Sequence, residues 1–171
     1  KTMNSDKAKT HILVVDDEKA DRMATCRVLK NAGYKIFQAK NREECLRLAR
    51  KHNPDLLLLD VNLPDSSGMD VCQQIKAEEG LKDIFIVLLS AINTDTESQA
   101  KGLETGADGY IARPISNREL LARVEAMLRI KAAEGALKAS EKRFGALMEN
   151  STDSISLLDV KGRVIYDNPA A

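Results

Sequence analysis

Aromatic residues are scarce in this sequence. Only 4% of its 171 residues are Phe, Trp or Tyr, and Trp is absent. This scarcity argues against stacking of nucleic-acid bases or sugars on aromatic side chains. An excess of one charge is also missing, because 26 Lys and Arg residues balance 26 Asp and Glu residues. We therefore expect no electrostatic surface for nucleic acid or anionic lipid.

Long apolar runs are missing as well. The longest, Ile84–Leu89, is far shorter than the roughly 20 residues of a membrane-spanning helix, so we expect no membrane contact in this chain. The polar N-terminus predicts no secretory signal. Cysteine is limited to Cys26, Cys45 and Cys72, which fit neither a zinc nor a CxxC spacing. A reduced, cytoplasmic protein with free thiols is the simplest interpretation.

Short apolar runs alternate with helical patterns along the first two-thirds of the chain. The runs are unbroken in their hydrophobicity, which is typical of strands buried on both faces of a parallel sheet. Five repeats of the alternation predict an α/β fold with a doubly wound parallel sheet. Strands are predicted at Ile12–Val15, Lys35–Ala39, Leu56–Leu59, Ile84–Leu89 and Gly109–Ala112, and helices before Gly33, at Arg42–Lys51, Met69–Glu79 and Thr94–Glu104, and from a capping box at Ser116 onward.

Polar side chains follow these strands at their carboxyl ends, where ligands bind in this architecture. They are Asp16, Asp17, Asp60, Ser90 and Arg113. Three carboxylates at neighbouring strand ends repel one another and need a cation, and oxygen ligands favour Mg²⁺. An Asp beside Mg²⁺ can act as the nucleophile in phosphoryl transfer, and Ser90 and Arg113 can contact phosphoryl oxygens. Taken alone, Asp16 or Asp17 can equally be a cap of the next helix.

Four sequence pieces support the phosphoryl-transfer interpretation. They are Ile12–Glu18, Leu58–Pro64 with Ser67–Met69, Leu89–Ala91 and Gly106–Tyr110. With these pieces in this order and at this spacing, the stretch from Thr10 to Ile130 resembles a CheY-like receiver domain of response regulators. The resemblance implies a flavodoxin-like (βα)5 fold, Mg²⁺ as cofactor, and a phosphorelay of two-component signal transduction. It also implies a histidine kinase or a phosphotransfer protein as partner.

The resemblance further implies a role for each matching residue. Asp60 matches the phosphoacceptor, Asp17 and Asp60 match direct Mg²⁺ ligands, and Asp16 matches the acid that acts through a metal-bound water. Asn62 matches the position that offers its backbone carbonyl to the metal. Ser90 matches the switch hydroxyl, and Tyr110 matches the aromatic residue coupled to it.

Two residues depart from the family pattern. Phe85 stands where the family has a Pro in the fourth strand, which we interpret as a packing change, and Arg113 is the departure that matters for function. Arg113 stands where the family has Lys, and the two are not interchangeable at a phosphate site. Two functions therefore stay open: a receiver phosphorylated on Asp60, and a phosphorylation-independent interaction module. An aspartyl-phosphate hydrolase of the haloacid-dehalogenase type is disfavoured, because Asn62 stands where that class has a second Asp. A DNA-binding regulator is disfavoured too, because no helix-turn-helix or dense basic run follows Ile130.

The helix after Ser116 has no obvious stop before Asn150. Small or apolar residues recur in it at alternating spacings of four and three, which is typical of a coiled-coil seam. We expect a marginal parallel homodimer through this helix, with packing on its own chain as the alternative. The seam residues are Ala126, Ile130, Ala133, Leu137, Ser140, Phe144 and Leu147.

Two short strands and a turn ending at Gly162 are predicted after the helix. The stretch from Ser140 to Pro169 is similar to the opening of a PAS sensor domain, which implies a truncated PAS domain. It also implies a hybrid sensor histidine kinase as the parent protein, although no kinase domain lies in this chain. The expected domains are a polar tail (1–9), a receiver (10–130), a helical linker (131–150) and the start of a PAS domain (151–171). Phosphorylation of Asp60 would switch the dimeric helix toward a PAS or kinase module.

Overall fold

A five-stranded parallel sheet forms the centre of the N-terminal part of the protein. The computed structural model describes residues 7–91 and 104–170. The strand order is β2-β1-β3-β4-β5, which is the flavodoxin-like doubly wound order, so the predicted fold class is confirmed. The elements are β1 (His11–Val15), α1 (Lys19–Asn31), β2 (Lys35–Ala39), α2 (Arg42–His52), β3 (Leu56–Asp60), α3 (Gly68–Ala77), β4 (Phe85–Ala91), β5 (Gly109–Arg113) and α4 (Asn117–Glu149).

The central strands are buried on both faces, which is why their sequences are continuously apolar. Successive side chains point to opposite faces of a strand. Leu13 and Leu57 accordingly belong to the hydrophobic cluster on one face, and Ile12 and Leu56 belong to the cluster on the other. All four side chains are fully buried. These two clusters fix the sheet and with it the positions of the strand ends.

Side-chain caps begin the helices that follow the strands. Asn41 accepts a hydrogen bond from the backbone N–H of Glu44 at the start of α2. Ser116 Oγ accepts from the backbone N–H of Glu119 at 3.2 Å, as its capping-box pattern predicts for the start of α4. Each cap satisfies a backbone donor that the helix itself leaves unpaired.

Strand β4 extends beyond the apolar run from which it was predicted. It ends at Ala91 rather than Leu89, because Ser90 and Ala91 pair in register with Ala112 and Arg113 of β5. The pairing also carries β5 to Arg113, one residue past its predicted end. The helix predicted at Thr94–Glu104 lies almost wholly outside the described residues.

The chain divides into two compact units, Lys1–Leu128 and Arg129–Ala171. In the first unit, Leu120 and Val124 of α4 are buried in the cluster that contains Ile12. The second unit holds the rest of α4 and an antiparallel hairpin of β6 (Ser156–Leu158) and β7 (Val164–Asp167). Within the described residues, no helix is long and apolar enough to span a membrane.

Asn168 links the hairpin to the end of α4 inside the second unit. Its side chain is 3% exposed, and its Nδ2 donates to the carbonyl oxygens of Met148 and Asp153. Its Oδ1 accepts from the backbone N–H of Ile155 at 2.9 Å. One buried amide therefore satisfies three backbone groups, which is the arrangement that a buried polar side chain requires.

Candidate functional site

The candidate site lies where the strand order of the sheet reverses. β1 is flanked by β2 and β3, so the loops that leave β1 and β3 diverge to opposite sides and open a crevice between them. Asp16 and Asp17 follow β1 directly, and Asp60 ends β3. The parallel pairing of β1 with β3 therefore brings the three carboxylates to one edge of the sheet.

Asp16 is a buried carboxylate with a partner on each oxygen. It is 1% exposed. Its Oδ1 accepts from the backbone N–H of Glu18 at 2.9 Å, and its Oδ2 accepts from Nη1 of Arg113 at 2.6 Å. A buried charge is stable only when it is paired and hydrogen-bonded, and these two donors meet that requirement. The helix-cap alternative does not describe Asp16, because the side chain that caps α1 is Glu18.

Asp60 is half-buried and fixed in the same way. Its Oδ1 accepts from the backbone N–H of Asn62 at 2.7 Å, and its Oδ2 accepts from Nη1 of Arg113 at 3.1 Å. Burial raises the pKa of the Asp60 carboxyl above its usual value, and the negative charge of Asp16 adds to the rise. The hydrogen bond from Asn62 and the positive charge of Arg113 act in the opposite direction.

Arg113 is the cation that joins the two acids. The pairing of Arg113 with Ala91 at the end of β4 places its side chain beside the acidic cluster. A single nitrogen, Nη1, contacts both Asp16 and Asp60. The other terminal nitrogen, Nη2, is the one buried side-chain nitrogen or oxygen of the described residues without a hydrogen-bond partner. An unpaired buried donor is costly, so Nη2 has a strong preference for an added acceptor.

An open cleft of about 580 Å³ gives access to these groups. It brings together five of the seven residues predicted for the site. Ser90 is 2% exposed, and its Oγ donates to the carbonyl oxygen of Ala91 at 3.3 Å. Ala91 lines the cleft, whereas its neighbour Ser90 is buried and does not. Tyr110 is half-buried against the core cluster that contains Leu13 and is not part of the cleft wall. The five are Asp16, Asp17, Asp60, Asn62 and Arg113.

The donor atoms of this cleft suit a hard divalent cation. Carboxylate oxygens of Asp16 and Asp60 already converge on one positively charged nitrogen, which is the arrangement that a bound cation needs. Asp17, which is exposed, and Asn62 line the same cleft and offer further oxygens. Side-chain groups of three or more His, Cys, Asp or Glu residues in metal-binding proximity are absent from the described residues. The guanidinium of Arg113 lies between Asp16 and Asp60 and contacts both.

Gly68 shapes the site, and Asp108 holds the opposite end of the sheet, although the sequence pattern assigned neither residue a separate role. A Cβ atom on Gly68 would lie 2.1 Å from the backbone oxygen of Asp60, so only glycine allows α3 to start against the end of β3. Asp108 accepts from the backbone N–H of Ile86 and from Nζ of Lys76, both at 2.7 Å. Gly68 lies in the piece Ser67–Met69 and Asp108 in the piece Gly106–Tyr110, and their presence in these two family-like pieces could have indicated their importance.

A family comparison identifies the protein's class. The family model described as the response regulator receiver domain matches residues 12–125. The chain belongs to this family. A receiver domain of two-component signalling therefore occupies most of the first unit, as the sequence pieces predict.

Curated relatives of the receiver domain include transcriptional regulators. PhoB of Pseudomonas aeruginosa, described as a phosphate regulon transcriptional regulatory protein, is 41% identical over 118 residues, which cover 69% of this chain and 51% of PhoB. The ycf27 protein of Cyanidium caldarium, named as a transcriptional regulator, is 37% identical over 163 residues, which cover 95% of this chain and 62% of ycf27. The chain thus spans only part of the length of these relatives.

Solved structures show the same fold. The CheY-like receiver domain protein of Methanospirillum hungatei superposes with a TM-score of 0.68 at 26% identity, covering 73% of this chain and 98% of its own. The receiver domain of a signal transduction histidine kinase from Syntrophus aciditrophicus has a TM-score of 0.64 at 29% identity, covering 70% of this chain and 90% of its own.

Proposed function

We propose that the receiver domain accepts a phosphoryl group on Asp60 from a phosphohistidine of a partner histidine kinase or phosphotransfer protein. The observation that carries this proposal is the position of the Asp60 carboxylate. It faces an open cleft between a buried acid and a cation, with Nη1 of Arg113 at 3.1 Å from Oδ2. Arg113 offsets part of the negative charge at this point, and preorganised positive charge favours transfer of an anionic group.

The transfer exchanges one phosphorus bond for another. An oxygen of the Asp60 carboxylate forms a bond to phosphorus, and the bond between phosphorus and the imidazole nitrogen breaks. The electron pair stays on that nitrogen, which takes up a proton, so the partner's histidine leaves as imidazole. Mg²⁺, when bound, neutralises charge on the phosphoryl oxygens. We assign Asp17, Asp60 and the Asn62 carbonyl as its direct ligands and Asp16 as the acid that acts through a bound water.

The substitution of Arg113 for Lys is compatible with this chemistry. Nη2 of Arg113 is buried beside the acids and has no acceptor. A phosphoryl oxygen on Asp60 would supply one, and a guanidinium matches the geometry of phosphate oxygens. Of the two functions left open by the sequence, this donor favours the phosphorylated receiver over the phosphorylation-independent module. Arg113 would move from a contact with two carboxylates to a contact with the phosphoryl group.

We further propose that the output is carried by α4. The cleft that holds Asp60 is also lined by Asn117 and Leu120, in the first turns of this helix. A new anion on Asp60 would therefore act at the start of a helix that continues to Glu149. Ser90, drawn toward the phosphoryl group, and Tyr110 would adjust with it as the switch pair.

A module of the PAS or kinase type is our first candidate for the target of α4. The hairpin β6-β7 and the buried Asn168 agree with the PAS-like sequence after Ser140. The similar receiver domain of Syntrophus aciditrophicus is described as part of a histidine kinase, and this description supports a hybrid kinase as the parent. Transcriptional control is the second candidate, because PhoB and ycf27 are named as regulators of transcription.

Intact mass after incubation with Mg²⁺ and acetyl phosphate tests the phosphorylation. We expect the gain of one phosphoryl group, and its loss when EDTA replaces Mg²⁺. The variant Asp60→Asn, which keeps the shape of the side chain and removes its nucleophilic charge, should show no gain. If the unmutated chain is folded but stays unmodified, the phosphorylation-independent module would be supported instead. Arg113→Lys would then be the variant to test next.

A further inference from the structure

The second unit carries an apolar stripe that the described residues do not cover. Four large side chains of α4 are exposed by half or more: Ile130 by 50%, Leu137 by 61%, Phe144 by 54% and Leu147 by 67%. Met148 of the same helix is 7% exposed, whereas these four side chains are open. A contiguous set of exposed large apolar residues marks an interaction surface.

The spacing of the stripe selects another helix as its partner. Ile130, Leu137 and Phe144 recur every seven residues, which is the period of a coiled-coil core and not of a helix packed on a globular surface. The positions between them are filled by Ala133, Ser140 and Leu147. In the second unit, which excludes Ala126, the seam therefore consists of these six residues. A seam of mixed large and small residues can pack against an identical seam in register, where each residue meets its own copy.

The charges beside the seam decide the direction of the partner helix. Arg129 and Arg143 flank it on one side, and Glu134 and Glu141 flank it on the other. In a parallel pair, a residue on the first side faces the residue five positions later on the other helix, so Arg129 meets Glu134 of the second copy. By the same rule Arg143 meets Met148 and Glu141 meets Ala136, so Arg129–Glu134 is the opposite-charge pair that favours this direction. In an antiparallel pair, arginines would face arginines and glutamates would face glutamates. Opposite charges at these positions set orientation in coiled coils.

We propose that the seam binds the seam of a second copy of this chain as a parallel, in-register coiled coil. Arg129 of each copy then pairs with Glu134 of the other copy. The partner is an identical chain, because each seam residue can pack against its own copy. The pairing of Arg129 with Glu134 is possible only when the two helices are parallel. The interaction does not depend on phosphorylation of Asp60, so it can be tested separately in the Asp60→Asn variant.

Two features of the helix should keep this pair weak. Gly135 and Gly145 lie within the helix, where glycine is a poor helix former. A Cβ at either position would meet no atom within 4 Å, so neither glycine is required by packing. Gly135→Ala should therefore strengthen the dimer without creating a clash. Ser140, a polar residue in the seam, adds register specificity rather than affinity.

Sedimentation equilibrium of the full chain over a range of concentrations tests the association. We expect a monomer–dimer equilibrium. Leu137→Glu should weaken it at least about tenfold, because a seam position becomes charged. Ala139→Glu introduces the same side chain on the exposed opposite side of the helix and should change the equilibrium little. A chain that remains monomeric at hundreds of micromolar, or a dimer unaffected by Leu137→Glu, would overturn the proposal.

Charge exchange and crosslinking test the direction. Arg129→Glu should weaken the dimer, and the double variant with Glu134→Arg should restore it. Ala133→Cys and Ser140→Cys, made separately, should both form interchain disulfides with oxidised glutathione, because a parallel in-register pair aligns every seam position with itself. An antiparallel pair aligns at most one of the two positions, so crosslinking of only one variant would refute the parallel arrangement. Circular dichroism of each variant verifies that the helix is retained.

Discussion

Oδ2 of Asp16, a carboxylate that is 1% exposed, accepts a hydrogen bond from Nη1 of Arg113 at 2.6 Å. The same nitrogen contacts Asp60, the proposed phosphoacceptor. Arg113 therefore joins the two acids through one nitrogen. Its second nitrogen, Nη2, is buried without a hydrogen-bond partner, and we propose that it accommodates the phosphoryl group on Asp60.

Removal of the Arg113 side chain should make the free energy of unfolding depend more strongly on Mg²⁺. Arg113→Ala leaves Asp16 buried without its partner, which we expect to lower the free energy of unfolding by about 3 kcal/mol in EDTA. Mg²⁺ at 100 times its Kd for the variant should recover about 2.7 kcal/mol, because only the folded state holds the ion. The same Mg²⁺ concentration should stabilise the parent less, because Arg113 competes with the ion for the Asp60 carboxylate. Urea unfolding with and without Mg²⁺ measures both. Arg50→Ala, which removes an exposed ion pair with Glu78, is the matched control. An equal Mg²⁺ effect in the parent and Arg113→Ala would contradict the role of Arg113.

The contact between Gly68 and Asp60 predicts a strong effect of one methyl group. Gly68→Ala places Cβ 2.1 Å from the Asp60 backbone oxygen, so the loop must shift. We expect a loss of about 2 kcal/mol in unfolding free energy and slower phosphorylation by acetyl phosphate. Gly80→Ala meets no atom within 4 Å and should change stability by less than about 0.5 kcal/mol. Similar unfolding curves for the two variants would show that the close contact is not a constraint.

Cys45 makes stability fall at alkaline pH. Burial raises the pKa of its thiol from 9.0 to about 12. Because the folded-state pKa lies above the unfolded one, the stabilising effect of the thiol is complete below pH 9 and is lost as the pH rises toward 12. Between pH 7 and pH 10, the parent should lose about 1.4 kcal/mol more unfolding free energy than Cys45→Ala. Guanidinium unfolding at both pH values measures this difference. Parallel losses in the two proteins would argue against a buried, protonated thiol.

Asn168 predicts a local change in the second unit. Its Oδ1 accepts from the backbone N–H of Ile155, so Asn168→Ala should accelerate hydrogen exchange of that amide about tenfold or more. Asn150→Ala removes an exposed amide that donates to the Ala146 carbonyl, and it should leave the Ile155 amide unchanged. NMR-detected exchange of single amides gives the comparison. Unaltered exchange at Ile155 in Asn168→Ala would mean that the hairpin holds without this side chain.

Sequence periodicity predicted most of the fold because it reports burial. β2 has the predicted bounds, Lys35–Ala39, and β3 differs from its prediction only by including Asp60. The predicted end of β4 was wrong by two residues. Ser90 and Ala91 belong to the strand because they pair with β5, not because they are hydrophobic. Backbone pairing between distant segments leaves no periodic signal in either segment.

The site could be predicted only as far as strand ends define it. Asp16, Asp17 and Asp60 follow apolar runs, so a parallel sheet places them at one edge. The contact of one Arg113 nitrogen with two acids could not be predicted. It depends on the path of a flexible side chain and on how far β5 extends beside β4. The sequence therefore showed that Arg113 departs from the family pattern, but it could not predict the contacts that Arg113 makes with Asp16 and Asp60.

Chemical mapping of the acyl phosphate is the most direct test of the proposed function. The full chain would be incubated with Mg²⁺ and acetyl phosphate and reduced with sodium borohydride, which converts an aspartyl phosphate to homoserine. Peptide mass spectrometry then locates the converted residue. We predict homoserine at position 60 in the parent and no conversion in Asp60→Asn. Conversion at Asp16 or Asp17 instead, or none in folded protein, would contradict the assignment of Asp60 as the phosphoacceptor.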